Sequence, residues 1–219
     1  RRAAGARILL VDNYSSFTYN LFQYLAELTG RAPCVLRNDA ELPANVRFSD
    51  FDAAVLSPGP GEPSRARDFG ICARLLQEPE LFILGVCLGH QGLGLQHGAR
   101  AIRAREAFHG RASRIRHSGD ELFAGMPEEF SAVRYHSLAV EEPLPTALTA
   151  IARTVDGDLM AMRHRSFPHW GVQFHPESAA TEFGKDVLAN FCALSLAGKT
   201  PGRTSASTAA DSPRAPVRS

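Results

Sequence analysis

Apolar positions along the chain change period between its two halves. Residues 7–12 (RILLVD), 33–37 (PCVLR), 53–57 (AAVLS) and 81–86 (LFILGV) are short, nearly continuous apolar runs. That is the pattern of strands buried on both faces. Between the first two, Phe17, Leu21, Tyr24, Leu25 and Leu28 recur at helical spacing until Gly30, with Asn13, Ser15 and Ser16 as cap candidates at the start. A second helix is expected over residues 65–77, and another opens directly after Cys87. Strands alternating with helices build βαβ units and a parallel sheet.

The second half reads differently. Residues 111–117, 131–138, 147–154, 159–164 and 169–174 are strand-like, with little helix between them. They predict an antiparallel extension. A closing helix is expected within residues 179–197, with Phe183, Val187, Leu188, Phe191 and Leu194 on its apolar side. The expected fold is therefore α/β: a mostly parallel, doubly wound sheet with flanking helices and an antiparallel extension. Residues 198–219 are small, polar and proline-containing, with Val217 the only larger aliphatic. Such a segment buries too little apolar area to offset its ordering entropy, so a flexible linker or tail is expected there, and residues 1–197 form one domain. The chain starts Arg1-Arg2 without a Met, as a piece of a longer or processed protein would.

Charge narrows the partners. The formal net charge of the 219 residues is +1, so no bulk field draws nucleic acid or an anionic membrane. No apolar run reaches the roughly 18 residues of a membrane span. The arginines between Arg100 and Arg116 are expected on solvated strand faces or at the rim of a partner interface. Cys34, Cys72, Cys87 and Cys192 lack paired spacing, which fits reduced thiols in a cytoplasmic protein.

One cysteine stands in a special context. A strand ending in Gly85-Val86-Cys87-Leu88-Gly89 and opening a helix has the layout of a nucleophile elbow. Glycines on both sides relieve the tight turn, the helix N-terminus favours a thiolate, and the Leu88 N–H is an oxyanion donor. A core cysteine in a strand-to-helix turn is the plainer alternative. The other three cysteines are expected to be buried fillers. A thiol nucleophile needs a base and an orienting group. His175 in GVQFHPES ends an apolar run, and Glu177 follows at i+2, on the same side of an extended backbone. Cys87, His175 and Glu177 then form a triad. No metal is expected, because no further Cys or His stands at ligand spacing. The loop SPGPGEP (57–63) lacks the Gly-Lys-Ser/Thr of a phosphate loop, and its rigid backbone makes Gly59 a second oxyanion donor or simply a stiff turn. His90, His97, His109, His117, His164 and His169 read as surface or core residues.

SPGPGEP, GVCLGHQ and GVQFHPES, in that order, resemble the class I glutamine amidotransferase family over residues 7–197. Within it, LLVDNYSSFTYNL, RYHSL and HPESAATEFG are most similar to the glutaminase components of aminodeoxychorismate and anthranilate synthases. The resemblance implies a flavodoxin-like core, Cys87 as nucleophile, His175 as base and acid, and Glu177 as orienter. It further implies that Gly59, Pro60, Gly61, Gln91, Ser137 and Leu138 contact L-glutamine beside Leu88. No cofactor is implied. The implied partner is a chorismate-binding synthase, fused C-terminally through residues 198–219, with aminodeoxychorismate as product and anthranilate as the alternative. Ser15 departs from the Asp usual in that group. A γ-glutamyl hydrolase and a catalytically silent regulatory module are the competing readings; the filled triad argues against the second.

Overall fold

In the computed structural model, which describes residues 4–198, the four apolar runs of the first half lie side by side. β1 (Ile8–Asp12) pairs in parallel with β2 (Cys34–Arg37) on one side and β3 (Ala53–Leu56) on the other. β4 (Phe82–Val86) adds to β3, again in parallel. The next neighbour of β4 comes from far along the chain: β9 (His169–Val172), parallel to β4 with Gly85 opposite Gly171. From there the sheet turns antiparallel through β8 (Leu159–His164), β7 (Leu148–Thr154), β5 (Ala101–His117) and β6 (Glu129–Val140). The nine strands make one sheet, in which the antiparallel part contributes as many pairings as the parallel part.

Alternation within the apolar runs divides the core. Ile8, Leu10, Val55 and Leu84 face α1 (Thr18–Thr29) and α5 (Gly184–Gly198), whose Leu21, Leu25, Val187, Leu188 and Phe191 complete that layer. Leu9, Val11, Leu56 and Ile83 face α2 (Ala66–Phe69), α3 (Ile71–Leu75) and α4 (Leu88–Gln96) through Phe69, Leu75, Leu88 and Leu93. Each such buried side chain contributes about 1.5–3 kcal/mol of transfer free energy. The doubly wound expectation thus has a direct physical basis in a strand with two apolar faces.

Several boundaries differ from the sequence reading. The helix over 65–77 is two short pieces broken at Gly70, whose φ of 43° accompanies a close approach to strand β2's end: a Cβ there would lie 2.0 Å from the Asn38 carbonyl oxygen. β2 is an exposed edge strand rather than a buried one, because only β1 pairs with it; Cys34 is therefore exposed, not a filler. The last helix begins at Gly184, since residues 178–182 are used to cover β6: the Glu182 N–H donates to Ser131 O, and the Val133 N–H to Thr181 Oγ1. Phe183 consequently lies off the helix, 41% exposed at φ 56°. The strand over 111–117 extends back to Ala101, ten residues before the expected start. Helix α1 starts after Phe17 with no side-chain cap at that position; Ser15 Oγ accepts the Phe17 N–H just ahead of it, and Asn13 is turned inward to Ser57. The helix stop at Gly30 holds, with φ 70° and its N–H donating to Ala26 O. α5 ends at Gly198, and the linker or tail expected from residue 198 lies, from 199 onward, outside the described residues. No helix among the described residues is long and apolar enough to cross a membrane.

Candidate active site

Cys87 sits between β4 and α4 with φ 52° and ψ −96°. A non-glycine residue in this region carries strain of about 1–3 kcal/mol, which the surrounding structure must override. Here the Cys87 N–H donates to Val172 O at 2.8 Å and its carbonyl accepts from the Gln91 N–H at 3.0 Å, which clamps the turn between β9 and α4. The flanking glycines relieve two separate clashes, one between the flanks themselves and one against β3. A Cβ on Gly85 would lie 2.4 Å from the Gly89 carbonyl, and one on Gly89 would lie 2.8 Å from Leu56 Cβ and O. Gly85 thus lets the helix fold back on its strand, and Gly89 lets α4 rest on β3.

His175 and Glu177 do meet: Nδ1 and Oε1 are 2.6 Å apart, and both side chains are buried. The expected route is not the observed one. β9 ends at Val172, and His175 and Glu177 lie in a turn closed by the Ser178 N–H donating to His175 O. Burial opposes the imidazolium, but hydrogen bonding and charge from Cys87 and Glu177 outweigh it and raise His175 from its ordinary value to about 10. The ring's Nε2 nevertheless lacks a hydrogen bond of standard geometry. The directed contact of the Cys87 thiol is to Tyr135 O at 3.6 Å, and Gln173 Nε2 donates to the sulfur at 3.5 Å.

The proline–glycine loop arrives at the same place. Gly59 is packed so closely that a Cβ would lie 2.4 Å from Asn13 O and 3.1 Å from Leu88 Cδ2. Leu88 opens α4, so its N–H belongs to the first turn, which has no intrahelical acceptors. Gly61 has φ 94° and faces the Asp68 carboxylate, which accepts the Glu62 N–H; Pro60 is exposed. Gln91 is buried and its Nε2 donates to Leu138 O at 3.0 Å, tying α4 to β6. Ser137 is exposed beside it. The ten residues singled out from the sequence therefore fall on the elbow and α4, the 175–177 turn, the 59–61 loop and β6.

The sequence reading passed over several neighbours. His136 is buried, accepts from Arg134 Nε at 3.0 Å and places its Nδ1 2.7 Å from Leu138 O; burial lowers it to about 4, so it is neutral. Arg134, itself buried, also pairs with Asp158 at 3.0 Å and lies 3.4 Å over the Phe108 ring. A polar residue repeating at i and i+2 in a strand (Arg134, His136) was the available signal. Phe17 and Tyr135 both pack on the His175 ring, and nothing local marked them. Burial pushes the Cys72 and Cys192 thiols up to about 12. His90 and His169 are core residues, and His109 is exposed. Arg100, Arg111, Arg114 and Arg116 form ion pairs with Glu141, Glu106 and Glu129 on the outer face of the β5–β6 ribbon. Among the described residues no group of three or more His, Cys, Asp and Glu side chains is placed to hold a metal ion.

Residues 9–194 match the family described as glutamine amidotransferase class-I. The chain is 58% identical over 185 residues to the aminodeoxychorismate synthase of Streptomyces griseus, covering 84% of this chain and 25% of that protein. The chain thus spans about a quarter of that relative's length. It is 45% identical over 190 residues to anthranilate synthase component 2 of Methanothermobacter marburgensis, covering 84% of this chain and 96% of that one. The crystal structure of a glutamine amidotransferase from Thermotoga maritima superposes with a TM-score of 0.71 over 89% of this chain and 99% of that one, at 15% identity, which is a likeness of fold.

Proposed function

The chain belongs to the class I glutamine amidotransferase family, and on that premise we propose that it hydrolyses L-glutamine and passes the ammonia to a chorismate-aminating partner. The observation that carries the proposal is the strained Cys87 at an elbow beside an imidazole whose other nitrogen is bound to a buried carboxylate. In the proposed cycle the Cys87 thiolate attacks the side-chain carboxamide carbon of glutamine. The resulting oxyanion is received by the N–H groups of Gly59 and Leu88, and the His175 imidazolium gives its proton to the departing ammonia. Water, deprotonated by His175, then cleaves the glutamyl thioester to glutamate and restores the thiolate. Glu177 keeps the imidazole in the required tautomer. Proton transfer of this kind supplies about 10²–10⁴-fold, and an oxyanion donor on the order of 10²–10³-fold. The incomplete Nε2 contact suits this reading, since catalytic hydrogen bonds often tighten only with substrate bound.

In this reading Pro60, Gly61, Gln91, Ser137 and Leu138 shape the glutamine site, and the protein works in the cytoplasm. The relative of higher identity supports aminodeoxychorismate as the product, with anthranilate second. Residues 198–219 would tether a C-terminal synthase domain, a role that lies outside the described residues.

The test is Cys87→Ala in the full chain together with its chorismate-binding partner. Glutamine-dependent amination should vanish, while amination driven by an added ammonium salt should persist. A glutamine-like electrophile should label Cys87 and leave the exposed Cys34 untouched, as peptide mapping would show. Loss of both amination routes in a folded variant, or label on Cys34 alone, would count against the proposal.

A further inference from the structure

Five residues link β1 to α1, and they touch two parts of the site that are distant in sequence. Asn13, at one end, is 1% exposed. Its N–H donates to Ser57 Oγ at 2.9 Å and its Nδ2 to Ser57 O at 2.7 Å, while its Oδ1 accepts from Asn38 Nδ2 at 3.0 Å and Cys72 Sγ at 3.3 Å. Ser57 begins the loop that carries Gly59, and Gly59 rests against the Asn13 backbone. At the other end, the Phe17 ring lies 5.6 Å from the His175 ring, edge-on at 65°, and 5.3 Å from Tyr135. Tyr135 contacts the same imidazole at 5.3 Å and 76°. The imidazole is thus gripped by two aromatic rings.

The segment between these ends is itself braced. Tyr14 has φ 62°, and its hydroxyl donates to Asp39 at 2.7 Å with the Arg37 guanidinium 5.6 Å over its ring. Phe17 is held by its N–H bond to Ser15 Oγ, and the following Thr18 hydroxyl donates to Asp12 at 2.7 Å. We infer that Asn13–Phe17 is a single positioning element of the site, fixing the catalytic base through Phe17 and the oxyanion loop through Asn13. The element deepens the glutaminase reading and rests on it for its effect on turnover. Neither residue touches the reacting atoms; both act through groups that do.

The groups facing His175 are Glu177 from its own turn, Cys87 from the elbow, and Tyr135 and His136 from β6. Replacing Phe17 removes a ring that packs against the imidazole, orders it and keeps water from the pair. Water admitted there relieves the burial that opposes the imidazolium and weakens the pull of Cys87 and Glu177 on the proton, so the balance that sets the midpoint changes.

The experiment uses the full chain and follows the His175 imidazole by NMR titration alongside steady-state hydrolysis of glutamine. Phe17→Leu should move the imidazole midpoint away from about 10. It should also reduce kcat by about ten- to a hundredfold, as a misplaced base does, with little change in KM. Phe17→Tyr should restore both readings. Ser57→Ala, which loosens the loop but leaves the aromatic contacts alone, should reduce kcat without moving the midpoint. An unchanged midpoint and kcat in Phe17→Leu, a Phe17→Tyr variant as impaired as Phe17→Leu, or full kcat in Ser57→Ala would each overturn the inference. The titration needs no turnover. Absence of glutamine hydrolysis in the wild type would therefore sink the proposed function, while a shifted midpoint in Phe17→Leu would still support the positioning role.

Discussion

At the scale of the residue, the proton on His175 joins chemistry to stability. Its folded value of about 10 lies above the ordinary imidazole value of about 6.5. The folded state therefore holds this proton more tightly than the unfolded chain does. The stability it contributes is fully present below about pH 6.5 and is lost as pH rises towards about 10. Glu177→Gln removes the charged partner 2.6 Å away, so the imidazole midpoint should fall and this alkaline loss should shrink. Denaturant midpoints measured at pH 6 and pH 10 check the point; equal pH slopes in wild type and variant would show that Glu177 does not hold the proton. Glutamine hydrolysis should slow in the same variant and slow further in His175→Asn, which removes proton transfer itself. Wild-type rates in both would remove His175 and Glu177 from the proposed mechanism.

At the scale of the element, β6 determines whether the His175 imidazole stays in place. It supplies Tyr135 to the imidazole and to the thiol, and Leu138 O to Gln91. The 175–182 segment hydrogen-bonds along it, His175 N–H to Val133 O included. Phe130 anchors this strand in the core, 6.0 Å from Phe123 and 5.6 Å from Phe174, the residue just before His175. Phe130→Ala removes a fully buried ring and should cost about 3–5 kcal/mol of unfolding free energy, read from denaturant curves. A cost below 1 kcal/mol would mean that the strand is held by its ladder and ion pairs instead. The exposed Arg–Glu pairs on the ribbon are poor candidates for that task, since each contributes about 0–1 kcal/mol.

At the scale of the whole molecule, the sheet order does what no single element can. Insertion of β9 beside β4 brings the turn with His175 to the elbow with Cys87, at the C-terminal ends of the parallel strands where open α/β sheets form their clefts. Hydrolysing glutamine with no acceptor at hand wastes it, so the proposed partner should raise glutaminase turnover by favouring the competent arrangement of the loop around Gly59. An increase of fivefold or more corresponds to about 1 kcal/mol of coupling or above. Glutamate release measured with and without a chorismate-binding synthase checks this, and identical rates would leave the coupling without support.

Local pattern determined a good deal of this protein. Apolar runs with two buried faces announced β1, β3 and β4, and helical spacing ending in Gly30 announced α1. Glycines around Cys87 and the neighbouring His175 and Glu177 marked the chemical groups, because a strained turn and a two-residue carboxylate–imidazole pair leave short-range signatures. Other features came only with tertiary structure. The first half of β5 is a strand because β6 pairs with it; its own alternation, Ile102 to Arg105, lasts only four residues before Glu106 breaks it. Gly70 breaks a helical pattern because Asn38 stands 2.0 Å from where its Cβ would be. Cys34 is exposed because β2 happens to be the edge. Phe17, Tyr135 and Asn13 join the site through contacts between segments that share no local pattern. Periodicity records which faces of an element are buried. Which distant element buries them depends on strand order and register, and those are decided when the whole sheet assembles.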